Sequence, residues 1–176
     1  MKFSKGFTLI ELAISIFIVG VLSATILLNY RGGQSEAFLT RASATFETDI
    51  RRTQNLAVAS SEFEGSIPCG YGLHYVDNRN YRLYAGRLGG APNCQSSDRN
   101  FQSGLDLVYQ EIKVIEPRVV FRSAFPDIFF EPPDPTTYLN NNRSVGASTA
   151  VEFCLEEDLT RCRNLIIDTA GRISIQ

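Results

Sequence analysis

From Phe7 to Leu28 the chain is apolar almost without a break, Phe-Thr-Leu-Ile-Glu-Leu-Ala-Ile-Ser-Ile-Phe-Ile-Val-Gly-Val-Leu-Ser-Ala-Thr-Ile-Leu-Leu. Roughly 22 residues rising about 1.5 Å each give a helix of about 33 Å, enough to cross the hydrocarbon core of a bilayer. Lys2 and Lys5 precede it, with no acidic residue among the first six positions. By the positive-inside rule they hold the N-terminus in the cytoplasm and send everything beyond Tyr30 across the membrane. An ordinary secretory signal has a shorter apolar region, about 7–15 residues, closed by a small-x-small site. The best local candidate, Leu22-Ser23-Ala24, puts leucine where a small residue is wanted, which disfavours a signal peptide removed at that point.

One residue breaks the apolar run. Glu11 stands about one helical turn inside it, where an ionised carboxylate costs up to about 3 kcal/mol and marks a functional position by default. A carboxylate kept protonated, or reaching the headgroups from the helix end, is the plain structural alternative. Its spacing from Phe7 favours a role. A cut between Gly6 and Phe7 would create an amine four residues ahead of Glu11. In a low dielectric the carboxylate could then neutralise that amine, on its own chain or on a neighbour.

Lys5-Gly6-Phe7-Thr8-Leu9-Ile10-Glu11-Leu12 resembles, position by position, the processing site of type IV pilins and of the pseudopilins of type II secretion systems. The resemblance implies a prepilin peptidase that cuts after Gly6 and methylates Phe7, and it makes Glu11 the carboxylate that guides assembly. The implied partners are other pilin or pseudopilin subunits, the peptidase and an inner-membrane assembly platform. The implied location is the cytoplasmic membrane, crossed once, with the C-terminal domain outside. Many major pilins carry a proline late in the apolar run, where this chain has Leu27 and Leu28; that departure points toward a minor subunit. Subunits at the extreme tip of such filaments can lack the glutamate, so Glu11 argues for a place within the stack.

Tyr30 and Arg31 suit the membrane interface, and Gly32-Gly33 permits a bend or local melting after it. Helical periodicity then returns. Phe38, Ala42, Phe46 and Ile50 recur every four residues, Thr53 and Ala57 extend the stripe, and most charges fall elsewhere on the wheel. The expected organisation is a leader over 1–6, a transmembrane helix over 7–30, an amphipathic continuation over 31–61 and a β domain over 62–176. Within that domain Gly72–Val76 and Asn80–Ala85 flank the turn-forming Asp77-Asn78-Arg79 and read as a hairpin. Further strands are expected at Leu107–Ile115, Val119–Phe121, Ile128–Phe130, Ala150–Leu155, Asn164–Ile167 and Ile173–Ile175. One long helix followed by many short strands gives an α+β fold, with antiparallel sheet packed on the helix in a pilin-like manner. Ile50–Ala57 is similar to the corresponding stretch of H-type minor pseudopilins and FimT-like minor pilins, and the closing Ile166–Ile173 segment resembles the closing hairpin of the H-type subunits. Gly86–Gly104 and Glu131–Asn142 are expected as loops, each a candidate contact for a partner.

Four cysteines fall into two local groups, Cys69 with Cys94 and Cys154 with Cys162. Neither forms the short paired spacing of a structural zinc site, and His74 is the only histidine. Disulfides suit a small domain working in an oxidising compartment, with the sequential pairing expected among three possible connectivities.

No nucleophile has a recognisable base, His74 sits in an expected strand, and Glu156-Glu157-Asp158 reads as a solvated turn rather than a calcium site. No metal, cofactor or catalytic residue is expected. Seventeen basic residues against nineteen acidic ones leave a net charge of −2, which gives no long-range field for nucleic acid. The leading reading is a minor pilin or pseudopilin that is cut, inserted and polymerised. The alternative is a DNA- or surface-binding minor pilin, for which Arg118, Arg122, Arg143, Arg161, Arg163 and Arg172 would have to converge. A periplasmic enzyme held by an uncut anchor ranks last.

Overall fold

The computed structural model describes residues 8–86, 94, 98–114, 116–132 and 136–176, with the side chains of 26–32 excepted. One helix, α1, runs Leu9–Val58, and the backbone stays helical through Gly32 and Gly33. The side chains of Tyr30 and Arg31 lie outside the described set. The chain forms two compact units, Met1–Ala37 and Phe38–Gln176.

In the first unit, α1 bears ten large apolar side chains that are exposed, from Leu9 to Leu22. Two hydroxyls along it are satisfied by the helix itself. Ser15 Oγ donates to the Glu11 carbonyl at 2.8 Å and Thr25 Oγ1 to the Leu22 carbonyl at 2.8 Å. Such back-bonding leaves a face with few open polar groups.

In the second unit, the apolar stripe of α1 becomes the centre of a core. Leu39, Ala42, Ser43, Phe46, Ile50, Thr53 and Ala57 are buried, with the i, i+3, i+4 spacing of one helix face. The two hydroxyls on this face are paid for locally, Ser43 by the Thr40 carbonyl and Thr53 by the Asp49 carbonyl. The helix ends in a Schellman arrangement. Ser61 N–H reaches the Leu56 carbonyl at 3.0 Å and Ser60 N–H the Ala57 carbonyl at 2.9 Å, with Ser60 at φ 46° in the position glycine usually fills.

Among the described residues nine strands follow, all paired antiparallel: β1 Gly70–Tyr75, β2 Asn80–Gly86, β3 Leu107–Lys113, β4 Val119–Phe121, β5 Ile128–Glu131, β6 Thr136–Leu139, β7 Ser148–Leu155, β8 Asp158–Asp168 and β9 Ile173–Ile175. They form a five-stranded sheet in the order β3-β2-β1-β5-β6 and a four-stranded sheet in the order β4-β7-β8-β9. Phe46 of α1 is the common neighbour, with ring centroids 5.0 Å from Tyr81, 5.4 Å from Phe125 and Phe153 and 5.8 Å from Phe121. Edge-to-face rings at these distances add to the burial they already provide.

Helix and antiparallel sheets make the α+β fold expected from the sequence. Two local readings need correction. Glu131–Asn142 is not one long loop: β5 runs through Glu131, and Thr136-Thr137-Tyr138-Leu139 forms an inner-facing edge strand with Thr137 fully buried. The prolines outweighed a β-branched and aromatic run that favours strand. Similarly, β8 begins at Asp158 rather than Asn164, so only Glu156 and Glu157 remain as the turn to β7.

Candidate functional site

The N-terminal determinants come first. Gly6 and Phe7, the residues of the expected cut and methylation, lie outside the described residues. Glu11 is described, and its carboxylate is engaged. Thr8 is the N-cap of α1: its N–H and its hydroxyl both donate to Glu11 Oε2, at 3.0 and 2.8 Å, while the Glu11 N–H points back to Thr8 Oγ1 at 3.4 Å. Threonine at the cap with glutamate three residues on is a capping box, in which each side chain satisfies an amide the helix end leaves open. Thr8-x-x-Glu11 was legible in the sequence as such. Among the described residues Glu11 Oε1 has no hydrogen-bond partner, so one oxygen holds the helix start and the other is available.

Cys69 is bonded to Cys94 and Cys154 to Cys162. The second bridge joins residues directly opposite each other on β7 and β8, with Cα atoms 4.1 Å apart. The first ties the start of β1 to the segment that leads into residues 98–106.

Phe101 packs over a second, smaller core that the sequence did not announce. On the face of the five-stranded sheet away from α1, Tyr84, Phe129 and Tyr138 are buried with Phe101 packed against them. The rings of Tyr84 and Phe129 stack at 5.9 Å, and they lie over positions that carry no side chain. A Cβ at Gly72 would stand 2.5 Å from the Tyr84 ring, and one at Gly86 would stand 2.6 Å from Phe129. The alternate glycines of Gly70-Tyr71-Gly72 were the available signal.

His74 belongs to this cover. Its Nδ1 pairs with Asp127 Oδ1 at 2.7 Å, and Asp127 Oδ2 accepts the Phe101 N–H at 2.7 Å. The Phe101 ring rests on His74 at 4.6 Å and under the Arg82 guanidinium at 5.1 Å. Arg99 lies over Tyr138 at 4.6 Å and pairs with Glu131 at 3.2 Å, while the Tyr84 hydroxyl donates to the Arg99 carbonyl at 2.6 Å. Burial and neighbouring carboxylates push the Tyr84 and Tyr138 phenols above their ordinary range. The histidine is a clamp on a loop, held between Asp127 and Phe101.

Four of the six candidate arginines have partners close by. Arg118 faces Glu157 at 4.0 Å, Arg122 pairs with Glu152 at 3.4 Å and Arg172 with Asp168 at 2.7 Å, while Arg163 donates to Thr40 at 2.8 Å. Asp158 accepts from the Thr160 amide and hydroxyl, which lower its pKa, and Glu156 pairs with Arg79. Among the described residues no group of three or more His, Cys, Asp or Glu is placed to hold a metal ion. Also among them, no helix is long and apolar enough to cross a membrane.

Comparison with known proteins adds two findings. Residues 1–27 match the family model of the prokaryotic N-terminal methylation motif. The fold resembles crystal structures of the type IV minor pilin FimU from Pseudomonas aeruginosa. One crystal form gives 12% identity over 78% of this chain and 87% of that one at a TM-score of 0.50; a second gives 12% identity and 0.49 over 78% and 92%. At this identity the likeness is one of fold. No curated protein sequence matches.

Proposed function

We propose that this chain, whose N-terminus matches the methylation motif and whose fold resembles that of a minor pilin, is a member of the type IV pilin family and a minor subunit of a pilus or pseudopilus. It is cut after Gly6, methylated at Phe7 and added to a filament through α1. The observation that carries this reading is the Thr8–Glu11 cap at the head of an exposed apolar helix.

Its physics fits a part built for transfer between two environments. Ten large apolar side chains exposed on one helical segment would each gain about 1.5–3 kcal/mol on leaving water. Lipid can supply that cover, and so can the helices of neighbouring subunits. Because Thr8 occupies Glu11 Oε2, Oε1 is left for an amine, which the cut at Gly6 would generate four residues away. An ammonium–carboxylate pair formed between chains, away from water, would favour correctly placed subunits over misplaced ones. The membrane crossing between Phe7 and Leu28, with the domain on the far side, belongs to the same proposal. The DNA-binding alternative would want a basic face, and three of the arginines it needs, Arg118, Arg122 and Arg172, face carboxylates instead.

The test is the intact mass and N-terminal sequence of the protein extracted from its native membrane. A chain beginning at methylated Phe7 supports the reading. One still beginning at Met1 in the presence of active peptidase, or beginning near Thr25, sinks it.

A further inference from the structure

The sequence contains one Asn-x-Ser/Thr triplet, Asn142-Arg143-Ser144, and filament assembly makes no use of it. It lies just past the tip of the hairpin strand β6, and its geometry is specific. Asn140 at φ 49° and Asn141 at φ 60° are the two central residues of a tight turn, the doubly positive pattern of type I′. Leu139 and Asn142 close it with reciprocal backbone hydrogen bonds of 2.8 and 3.0 Å. The backbone of Asn142 is therefore fixed at the end of a strand.

Its side chain is turned the same way by Ser144. Asn142 Oδ1 accepts both the Ser144 N–H at 2.9 Å and the Ser144 hydroxyl at 2.7 Å. Both partners are donors, which identifies the accepting atom as oxygen and puts the amide nitrogen on the opposite side. Among the described residues Nδ2 of Asn142 has no hydrogen-bond partner. Other asparagines nearby differ: Nδ2 of Asn80 is held by Asp77, and Nδ2 of Asn100 by Asn140. Asn142, Arg143 and Ser144 are all exposed, and the next residue, Val145, is fully exposed.

We infer that Asn142 is an N-glycan acceptor. The triplet is the acceptor sequence for asparagine-linked sugar, and here its amide and its hydroxyl stand together on an accessible turn. The donor is a glycosyl pyrophosphate, linked either to a polyprenol or to a nucleotide. In the transfer Nδ2 attacks the anomeric carbon. The C–N bond forms as the C–O bond to pyrophosphate breaks, the pyrophosphate leaves with the electron pair, and Nδ2 gives one proton to a base of the transferase. Nothing is oxidised or reduced.

The experiment is peptide-level mass spectrometry of the full chain purified from native membranes, with fragmentation that preserves side-chain sugars. The peptide spanning Asn142 is expected to carry sugar on that residue. Asn142→Gln and Ser144→Ala should each abolish it, and Asn141→Gln should leave it in place. A preassembled oligosaccharide identifies the lipid-linked donor, and a single sugar the nucleotide-linked one. A wild-type peptide found bare, or carrying its sugar on Ser144 instead, overturns the inference, and neither result depends on any variant folding.

Discussion

The hydroxyl of Tyr81 on β2 donates to the carboxylate of Asp49 on α1, a charge-assisted bond set between the helix and the five-stranded sheet, beside the Phe46 cluster. Tyr81 is 2% exposed, so its hydroxyl has no water as an easy substitute, while Asp49 is half-buried. Tyr81→Phe should lower stability by about 1–3 kcal/mol, the usual cost of stranding a part-buried acceptor. Asp49→Asn keeps an acceptor and should cost less. Urea unfolding of the full chain in detergent reads both; equal effects would mean the bond is not the reason.

Alkaline pH tests the same region from the other side. Tyr81 has its pKa raised by burial and by Asp49, and Tyr84 by burial and nearby carboxylates. A folded-state value above the unfolded one, near 10, gives stability that is complete below about pH 10. It is lost as pH rises toward the folded value, by about 1.4 kcal/mol per pH unit for each such tyrosine. Tyrosinate absorbance should therefore rise in stages, exposed phenols first and Tyr81 and Tyr84 only with unfolding. A single transition near pH 10 in a chain that stays folded would refute this.

Gly72→Ala should be disproportionately harmful for one methyl group. The new carbon would fall 2.5 Å from a Tyr84 ring held between Phe129 and Phe101. Overpacking of this kind typically costs about 1–3 kcal/mol. Gly104→Ala makes an informative comparison, since a Cβ there has open space and only a strained φ of 84°. The melting temperature should fall further for Gly72→Ala, and residues 98–106 should become the first site of proteolysis.

The two disulfides should differ in worth. Closing a loop of separation 25 rather than 8 predicts a contribution of about 3.5 kcal/mol for Cys69–Cys94 against about 2.5 kcal/mol for Cys154–Cys162 on loop entropy alone. Paired serine replacements, compared by denaturant midpoint, give the ranking. The reverse order would show that the β7–β8 hairpin depends on its bridge for more than chain entropy.

At the N-terminus, Thr8→Val should weaken the helix start by about 1 kcal/mol while leaving the Glu11 charge intact. Glu11→Gln preserves much of the cap and removes the charge. If the charge guides assembly, Glu11→Gln should reduce filament incorporation far more than Thr8→Val, with both chains processed normally. Equal losses would assign the effect to the cap.

How much of this was legible in the sequence depends on range. The helix stripe from Phe38 to Ala57 and the hairpin around Asp77 were readable because each rests on local periodicity and turn chemistry. The strand at Thr136 was not, since its pairing with β5 is decided by Tyr138 and Phe129 meeting across a proline-rich connection. The second core was hidden for a similar reason. Tyr84 and Phe129 look like ordinary strand aromatics until the glycines opposite them reveal where the rings lie. At the N-terminus the opposite held for the methylation motif, whose residues all lie within 1–27 of the chain.

In the second unit side-chain hydrogen bonds among the described residues fasten α1 at several places, including Thr40 to Arg163 on β8, Asp49 to Tyr81 on β2, Arg52 to Gln110 on β3 and Gln54 to the carbonyl of Gly171. These attachments are divided between the two sheets and spread along the helix. Tension arriving along α1 would therefore load them in parallel, as shear, rather than open them one after another as a peeling strip would. A thread whose bead is gripped in this way can be pulled by its end without the bead coming off.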